Sequence, residues 1–277
     1  MNAPLAWVTG AGGLIGAELV RSAPAWAPGW QVRGLTRERL ELTDFSAVRR
    51  MFETDRPRVV LHCAAMTRTP ECEINPSLAH RLNVDVTAWL SELASASQLV
   101  FFSTDLVFDG TRGHYREEDD VHPLGVYGVT KAAAEKMVLA NPRHLVVRTS
   151  LNHGASPTGD RSFNEQMAAA WRAGRTLRLY VDEFRSPISV RATARATWEL
   201  VRREAAGLFH VAGAERLSRF QMGELVARSL PETSPKLEAA SIREHAGPPR
   251  PRDVSLHCGK AQALLSFPLP SLCDGLE

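Results

Sequence analysis

Short apolar runs alternate with longer stretches of helical pattern through the first half of the chain, and this alternation restricts the fold more than any other feature. The runs are rich in β-branched residues and cover residues 5–9, 31–35, 58–62, 98–102 and 145–148. The stretches between them are long enough for crossover helices, which return the chain to the same edge of a parallel sheet. We therefore predict an α/β protein with a Rossmann-type, doubly wound parallel sheet and helices on both faces.

The composition narrows the kinds of partner that the chain can have. With 277 residues, of which 44% are hydrophobic, it can bury a sizeable core. A formal net charge of +2 without a basic block gives no reason to predict a nucleic acid or a membrane as partner. No apolar run approaches the ~18 residues of a membrane span. The four cysteines lack C-x-x-C spacing and the N-terminus lacks a signal-peptide pattern, so we expect a reducing, cytoplasmic setting.

A glycine-rich turn follows the first apolar run directly. Gly10, Gly13 and Gly16 lie in a segment that leads into a helical pattern, Thr9-Gly10-Ala11-Gly12-Gly13-Leu14-Ile15-Gly16. The glycines permit a tight turn and a close approach of the backbone to a pyrophosphate, while a helix that starts at Leu14 and Ile15 offers free N–H groups. A turn without a ligand is the alternative, but the strand before it and the helix after it favour a dinucleotide.

The end of the second apolar run bears on the choice of nicotinamide cofactor. An acidic residue there would bind the ribose 2′-hydroxyl of NAD, whereas this chain has Thr36 and Arg37. A guanidinium pairs well with a 2′-phosphate, so the sequence favours NADP (NADPH) over NAD. Arg33 or Arg39 could take the same role, and a solvated surface position is the alternative for all three arginines. Asp44 either follows a further strand, near the adenine, or caps the next helix.

Tyr127 and Lys131 stand four residues apart, downstream of the run that leads to Thr104. In a helix this spacing puts both side chains on one face, ~6 Å apart. We expect the Lys131 ammonium to favour the phenolate and lower the pKa of Tyr127, and Thr104 to supply a third hydrogen bond. A half-buried aromatic and a solvated lysine are the alternatives for the two residues taken singly. Together they predict nicotinamide-dependent carbonyl chemistry.

The motifs, taken in order, resemble one family along nearly the whole chain. Besides the glycine turn they are Leu61-His62-Cys63-Ala64-Ala65, Leu82-Asn83-Val84, Ser103-Thr104-Asp105, Val107-Phe108-Asp109-Gly110, Tyr127-Gly128, Thr130-Lys131, Arg148-Thr149-Ser150, Phe163-Asn164 and Pro187. The chain is similar in them to the extended short-chain dehydrogenases/reductases, and among these to the dTDP-4-dehydrorhamnose reductase group of nucleotide-sugar reductases. The resemblance implies that Thr104, Tyr127 and Lys131 form a catalytic trio. It also implies that Ala64, Ala65 and Ser103 lie beside the cofactor, and that Tyr127 and Lys131 contact it as well.

The resemblance also implies a reaction, the NADP-dependent reduction of a 4-keto nucleotide-sugar. The nicotinamide would supply the hydride and Tyr127 would act as general acid, while Lys131 would anchor the nicotinamide ribose and Thr104 would orient the carbonyl. A nucleotide-sugar epimerase could use the same trio. A non-catalytic NADP-binding regulatory subunit is a further alternative. Leu106 stands where the related dehydratases carry a glutamate, which argues against an elimination reaction.

Departures from the reductase pattern lie where the substrate should bind. Leu106 replaces a common tyrosine and Gly125 replaces an asparagine. Lost ring and amide contacts change specificity, so the sequence does not identify the sugar. Our candidate substrate contacts are the polar residues Thr67, Asp105, Asn152, Asn164 and Arg185. We predict no metal site, because the histidines show no ligand spacing and the acidic residues 117–120 are typical of an exposed turn.

The rest of the chain is less regular in pattern. Helical patterns cover residues 163–173, 190–204, 221–230 and 258–265, and strand-like runs cover 177–181 and 208–211. We predict that residues 1–150 with about 186–213 form an NADP-binding Rossmann domain. Residues 151–185 with 214–277 would form a smaller, discontinuous substrate domain. A homodimer is compatible with this organisation.

Overall fold

The computed structural model describes residues 3–276, and its centre is a six-stranded sheet in the order β10-β5-β4-β3-β1-β2. All neighbouring strands in this sheet are parallel. The strands are β1 Leu5–Thr9, β2 Gln31–Leu35, β3 Val59–His62, β4 Gln98–Thr104, β5 Leu145–Thr149, β6 Asn152–His153, β7 Leu177–Tyr180, β8 Phe184–Arg185, β9 Ile188–Ser189, β10 Gly207–Val211, β11 Leu217–Ser218 and β12 Leu237–Ala240.

Helices cover both faces of the sheet, which confirms the predicted α/β, doubly wound fold. They are α1 Leu14–Trp26, α2 Phe45–Asp55, α3 Thr69–Ile74, α4 Pro76–His80, α5 Val86–Leu93, α6 Val126–Leu139, α7 Phe163–Arg172, α8 Val190–Arg202, α9 Arg219–Ser229 and α10 Gly259–Gln262. A π-helical turn, Arg81–Asp85, joins α4 to α5. None of the helices in the described part of the chain is long and apolar enough to cross a membrane.

The side chains of β1 point alternately into two apolar cores, one on each face of the sheet. Ala6 and Val8 pack on one face with Leu19 of α1 and Trp198 of α8, while Trp7 packs on the other face. Successive side chains of a strand point to opposite faces, so a strand that is apolar at every position fits a sheet covered on both sides. A separate apolar cluster lies outside the sheet and contains Phe163, Met167, Trp171, Met222, Val226 and Leu272.

The strand order fixes where a ligand can enter. The chain runs outward from β1 to β2 and then returns to β3 on the other side of β1. In open parallel sheets, ligands bind beyond the carboxyl ends of the strands at such a reversal. In this chain that point is the gap between the end of β1 and the end of β3.

One expected strand is not formed. Between β2 and α2, residues 37–39 and 42–43 make turns, so Asp44 does not follow a further strand. The backbone N–H of Leu40 donates to the Thr36 carbonyl, which closes the chain into a turn directly after β2. Asp44 instead caps α2, because its Oδ1 accepts a hydrogen bond of 2.9 Å from the N–H of Ala47.

Candidate functional site

The glycine turn lies at the reversal between β1 and β3. Gly10 has φ +66°, a left-handed conformation that favours glycine, and a Cβ there would stand 2.7 Å from the N atom of Ala64. A Cβ on Gly16 would collide with the Gly10 carbonyl. The Gly13 N–H donates to the Gly10 carbonyl at 2.8 Å, so the turn is tight. The chain therefore forms a cradle of bare backbone at the sheet edge.

Helix α1 begins at this cradle. Gly13 is its N-cap, and no side chain of residues 3–276 caps it, so the first N–H groups of the helix, including those of Leu14 and Ile15, can bind a ligand. Ala64 and Ala65 follow β3 directly and border the turn. Ser103, one residue before the end of β4, has a buried hydroxyl without a partner in the described residues. A cradle, free N–H groups and an unpaired hydroxyl fit a dinucleotide.

Arg37 lies two residues beyond β2 and is accessible. Its side chain is 88% exposed and its Nε donates to Glu41 at 2.8 Å. The other two arginines that the sequence offered are engaged elsewhere, since Arg33 pairs with Asp55 and Arg39 donates to the Gly34 carbonyl. Among the described residues, Arg37 has Glu41 as its polar partner, and the Glu41 side chain is 39% exposed.

Asn83 connects the cofactor side of the site to α6, and sequence reasoning gave it no role. Its Oδ1 accepts from the Met66 N–H at 2.8 Å, and its Nδ2 donates to the Met66 carbonyl and to the Thr130 hydroxyl, each at 3.0 Å. Asn83 is buried within the π-helical turn. The signal was present as Leu82-Asn83-Val84, but the partners are 17 and 47 residues away and no spacing indicates them.

Tyr127 is half-buried on the first turn of α6 and lines a cavity. Burial raises the pKa of its phenol well above the ordinary value, and the Asp105 carboxylate raises it further, while a hydrogen bond with Thr104 opposes the rise. The expected lowering of the Tyr127 pKa by Lys131 was wrong. Thr104 ends β4 beside the phenol, as the sequence predicts.

Lys131 lies in the core, against the ring of Phe101. It is 2% exposed, and its Nζ lies 3.8 Å from the centre of the Phe101 ring. Burial lowers the pKa of Lys131 to about 7, against a partial rise from Glu135. Position on a shared helix face determines where the Cβ atom of a side chain lies, but not where the end of a long side chain lies. The ammonium therefore titrates near neutral pH and does not stabilise the phenolate.

The buried ammonium predicts a specific pH dependence of stability. Between pH ~7 and ~10.4 the unfolded chain binds a proton that folded Lys131 has lost, so this residue makes the free energy of unfolding rise with pH. We expect Lys131→Met to be more stable than the wild type at pH 7, with the difference closing by pH ~10.4. Urea unfolding at several pH values measures it. The exposed Lys136→Met on the same helix is the control, and parallel curves for wild type and Lys131→Met would contradict the expectation.

Asp105 and Arg185, both candidate substrate contacts, bind each other. Two guanidinium N–H groups of Arg185 donate to the Asp105 carboxylate at 2.8 and 2.6 Å, and Ser150 donates to the same carboxylate at 2.6 Å. Asp105 is 0% exposed and Arg185 is 6% exposed. Asp105 is therefore committed to this pair, whereas part of Arg185 still borders the cavity beside Tyr127.

The other candidate substrate residues are not brought to the cavity. Asn152 bonds to Thr149 and Thr193, and Asn164 accepts from the Gly154 N–H, so both amides hold the local backbone together. Thr67 is exposed and is not among the lining residues. The structure favours a structural role for both asparagines, because their hydrogen bonds are already made within the chain.

The cavity has a volume of about 120 Å³ and lies between α6 and two distant segments. One wall is the start of α3, and the opposite wall is the proline-rich segment 248–251 with His245. Sequence reasoning missed several of its charged or polar lining residues, namely Thr69, Glu73, Glu183, His245 and Arg250. Among the residues that the structure describes, no group of three or more His, Cys, Asp or Glu side chains could hold a metal ion.

The fold and the site together define a class. A bare-backbone cradle at a sheet reversal, followed by a tyrosine and a lysine one helical turn apart beside a cavity, is found in NAD(P)-dependent oxidoreductases of the extended short-chain dehydrogenase/reductase type, and the chain is of this class. Within it, the chain belongs to the RmlD substrate binding domain family, whose family model matches residues 6–277.

Comparison with known proteins gives two kinds of relative. A probable low-salt glycan biosynthesis reductase, Agl14, from Haloferax volcanii is 30% identical over 98% of this chain and 95% of its own. Methionine adenosyltransferase 2 subunit beta from Bos taurus is also 30% identical, over 93% of this chain and 81% of its own. The fold matches a dTDP-4-dehydrorhamnose reductase from Bacillus anthracis in complex with NADP, with a TM-score of 0.90, 24% identity, and coverage of 100% of this chain and 98% of that one.

Proposed function

We propose that the protein reduces a 4-keto nucleotide-sugar with NADPH. The observation that carries this proposal is the Tyr127 phenol, which lines a cavity and has the Thr104 hydroxyl beside it, in a chain whose glycine turn forms a bare-backbone cradle. The similarity to a glycan biosynthesis reductase supports a sugar substrate. In this proposal, residues 1–150 with about 186–213 hold the cofactor, and residues 151–185 with 214–277 hold the sugar nucleotide.

Tyr127 is the proposed proton donor. When bound, the reduced nicotinamide supplies a hydride to the carbonyl carbon. The carbonyl oxygen then becomes an alkoxide, and Tyr127 gives its phenolic proton to that oxygen. The raised pKa keeps the phenol protonated at neutral pH, as a general acid must be. Thr104 would donate a second hydrogen bond to the same oxygen and stabilise the developing charge, an effect of roughly 2.7–4 kcal/mol per donor in typical sites.

The same pKa supports reduction over epimerisation. An epimerase begins by removing a proton from a hydroxyl, which requires Tyr127 to be a phenolate. Burial and the neighbouring Asp105 carboxylate both disfavour that ionised form. The Arg185 guanidinium pairs with the Asp105 carboxylate at 2.6 Å. The electrostatics of the site therefore favour proton donation by Tyr127.

The chain's own residues provide for the cofactor in four places. The cradle from Gly10 to Gly16 and the free N–H groups of α1 would hold the pyrophosphate, because only bare backbone can approach it closely. Ala64 and Ala65 would form the wall beside the ring system, and Ser103 would supply its unpaired hydroxyl. Lys131 would bind the nicotinamide ribose.

Arg37 would select NADPH over NADH by pairing with the 2′-phosphate. A charge-assisted pair of this kind contributes about 1.5–3 kcal/mol, so we expect Arg37→Ala to weaken NADPH binding roughly 10- to 100-fold and to leave NADH binding unchanged. Fluorescence titration with each cofactor measures both constants. Arg33→Ala, which breaks only the pair with Asp55, is the matched control. Equal losses for NADPH and NADH would show that Arg37 does not read the phosphate.

Turnover tests the proposal as a whole. Purified protein is assayed for NADPH oxidation against a panel of nucleotide-linked 4-keto-6-deoxy sugars, with product identified by mass. NADPH-preferring turnover that depends on Tyr127 supports the reductase. Tight NADPH binding without turnover on any member of the panel would overturn it.

A second candidate is a non-catalytic, NADP-binding regulatory subunit. The 30% identity with methionine adenosyltransferase 2 subunit beta favours it, since that protein is named as a subunit of a different enzyme. This candidate predicts cofactor binding without turnover and co-purification with a partner enzyme. The intact group of Thr104, Tyr127 and Lys131 weighs against it. Turnover in the panel above distinguishes the two.

A further inference from the structure

Glu73 caps the helix that carries Tyr127. It belongs to α3, 53 residues earlier in the chain, and its Oε1 accepts a hydrogen bond of 2.7 Å from the backbone N–H of Val126. The N-cap of α6, Gly125, has no side chain with which to cap the helix itself. A carboxylate at a helix N-terminus also compensates the positive end of the helix dipole. Glu73 therefore links the substrate side of the cavity to the first turn of α6.

Gly125 makes room for this carboxylate. A Cβ at position 125 would stand 2.8 Å from Oε1 of Glu73, so a side chain there would require the Glu73 carboxylate to shift. The glycine lets Glu73 take its present place against the start of α6.

The lining of the cavity leaves one charged acceptor free. Both lining guanidinium groups are ion-paired, that of Arg185 with Asp105 and that of Arg250 with Glu183 at 3.0 Å. No residue in the described part of the chain donates to Oε2 of Glu73. An ionised carboxylate only accepts hydrogen bonds, so whatever lies against Oε2 must donate one.

We propose that Glu73 is a specificity-determining residue, whose Oε2 accepts a hydrogen bond from the sugar hydroxyl adjacent to the 4-keto carbon. The inference rests on the proposed function, because Tyr127 and Glu73 line the same cavity and the carbonyl must stand at Tyr127. Glu73 does not take part in proton transfer. It binds the sugar through a sugar group that donates a hydrogen bond to Oε2. It disfavours substrates that have a negatively charged group, or a group that can only accept hydrogen bonds, in that place.

The test compares kcat/KM of the wild type and of one variant, each on one substrate and on its matched analogue. Glu73→Gln keeps an oxygen to cap Val126 but replaces the free carboxylate oxygen with an NH₂ group. The substrates are a turned-over 4-keto sugar nucleotide and its analogue with hydrogen in place of the adjacent hydroxyl. Glu71→Gln is the matched control, since Glu71 is an exposed residue of the same helix that pairs with Arg68. Melting temperature and NADPH affinity are recorded for each variant.

We expect loss of the hydroxyl to lower kcat/KM of the wild type by roughly 10- to 100-fold, and that of Glu73→Gln by less than about threefold. Glu71→Gln should behave like the wild type, and neither variant should change NADPH affinity. Equal penalties in wild type and Glu73→Gln would overturn this inference and leave the proposed function intact. Absence of wild-type turnover on every 4-keto sugar nucleotide would overturn both.

Discussion

Replacing Tyr127 by phenylalanine should lower kcat by about 10²- to 10⁴-fold, the range that a general acid contributes. The variant keeps the aromatic ring and loses only the phenolic O–H that would protonate the alkoxide. NADPH affinity should stay within about twofold of the wild type, because the proposed cofactor contacts lie at the glycine cradle and Lys131. Single-turnover kinetics with NADPH measure the chemical step directly, and equilibrium titration measures cofactor binding.

Tyr115→Phe is the matched control for this experiment. Tyr115 also loses one phenolic O–H, which donates to Asp109 at 2.6 Å, but it stacks on Phe108 and does not line the cavity. We expect full turnover from it. Retention of more than a tenth of the wild-type rate by Tyr127→Phe would rule out the phenol as proton donor. Slow turnover by both variants would point to a loss of folding instead.

Replacing Arg185 by methionine should destabilise the protein by about 3–5 kcal/mol. The substitution leaves Asp105, which is 0% exposed, as a buried charge without its guanidinium partner. Adding Asp105→Leu should recover part of the loss, because the double variant has no carboxylate left without its partner at position 105. Urea unfolding at neutral pH measures the free energy of each variant.

Arg178→Met is the matched control for that prediction. Arg178 pairs with Glu238 and Glu244, but its side chain is 55% exposed, so its loss should cost at most about 1 kcal/mol. A cost for Arg185→Met no larger than this would mean that the buried pair contributes nothing to the fold. Arg185 would then become a candidate for direct contact with the substrate.

The sheet could be predicted from the sequence because its four inner strands, β1, β3, β4 and β5, are buried on both faces. The predicted bounds of β1 and β2 match the structure at both ends, and β4 extends two residues beyond the predicted run, through Ser103 and Thr104. Glycine positions also determined the turn, since few other residues adopt φ +66°. No further strand forms before Asp44, because the chain turns directly after β2.

Only the features of the site that depend on spacing between nearby residues could be predicted from the sequence. Four residues of separation place Tyr127 and Lys131 on one helix face, but the packing around Phe101 sets the direction of the lysine. The pair of Asp105 and Arg185 spans 80 residues, and Glu73 reaches Val126 across 53. Such contacts follow from the three-dimensional path of the chain, and no pattern in one sequence specifies them.

The Asn83 amide holds together a part of the site that is separate from the lining of the cavity, so the two parts can be mutated separately. Its partners, Met66 and Thr130, hold the wall of the cradle to α6 from the core side, and neither of them lines the cavity. Mutations that accumulate in residues 69–70 or 245–251 can therefore reshape the pocket while the Glu73 cap of α6 and the Asn83 contacts stay in place. A library confined to those two segments is a direct route to new sugar preferences on an unchanged catalytic frame.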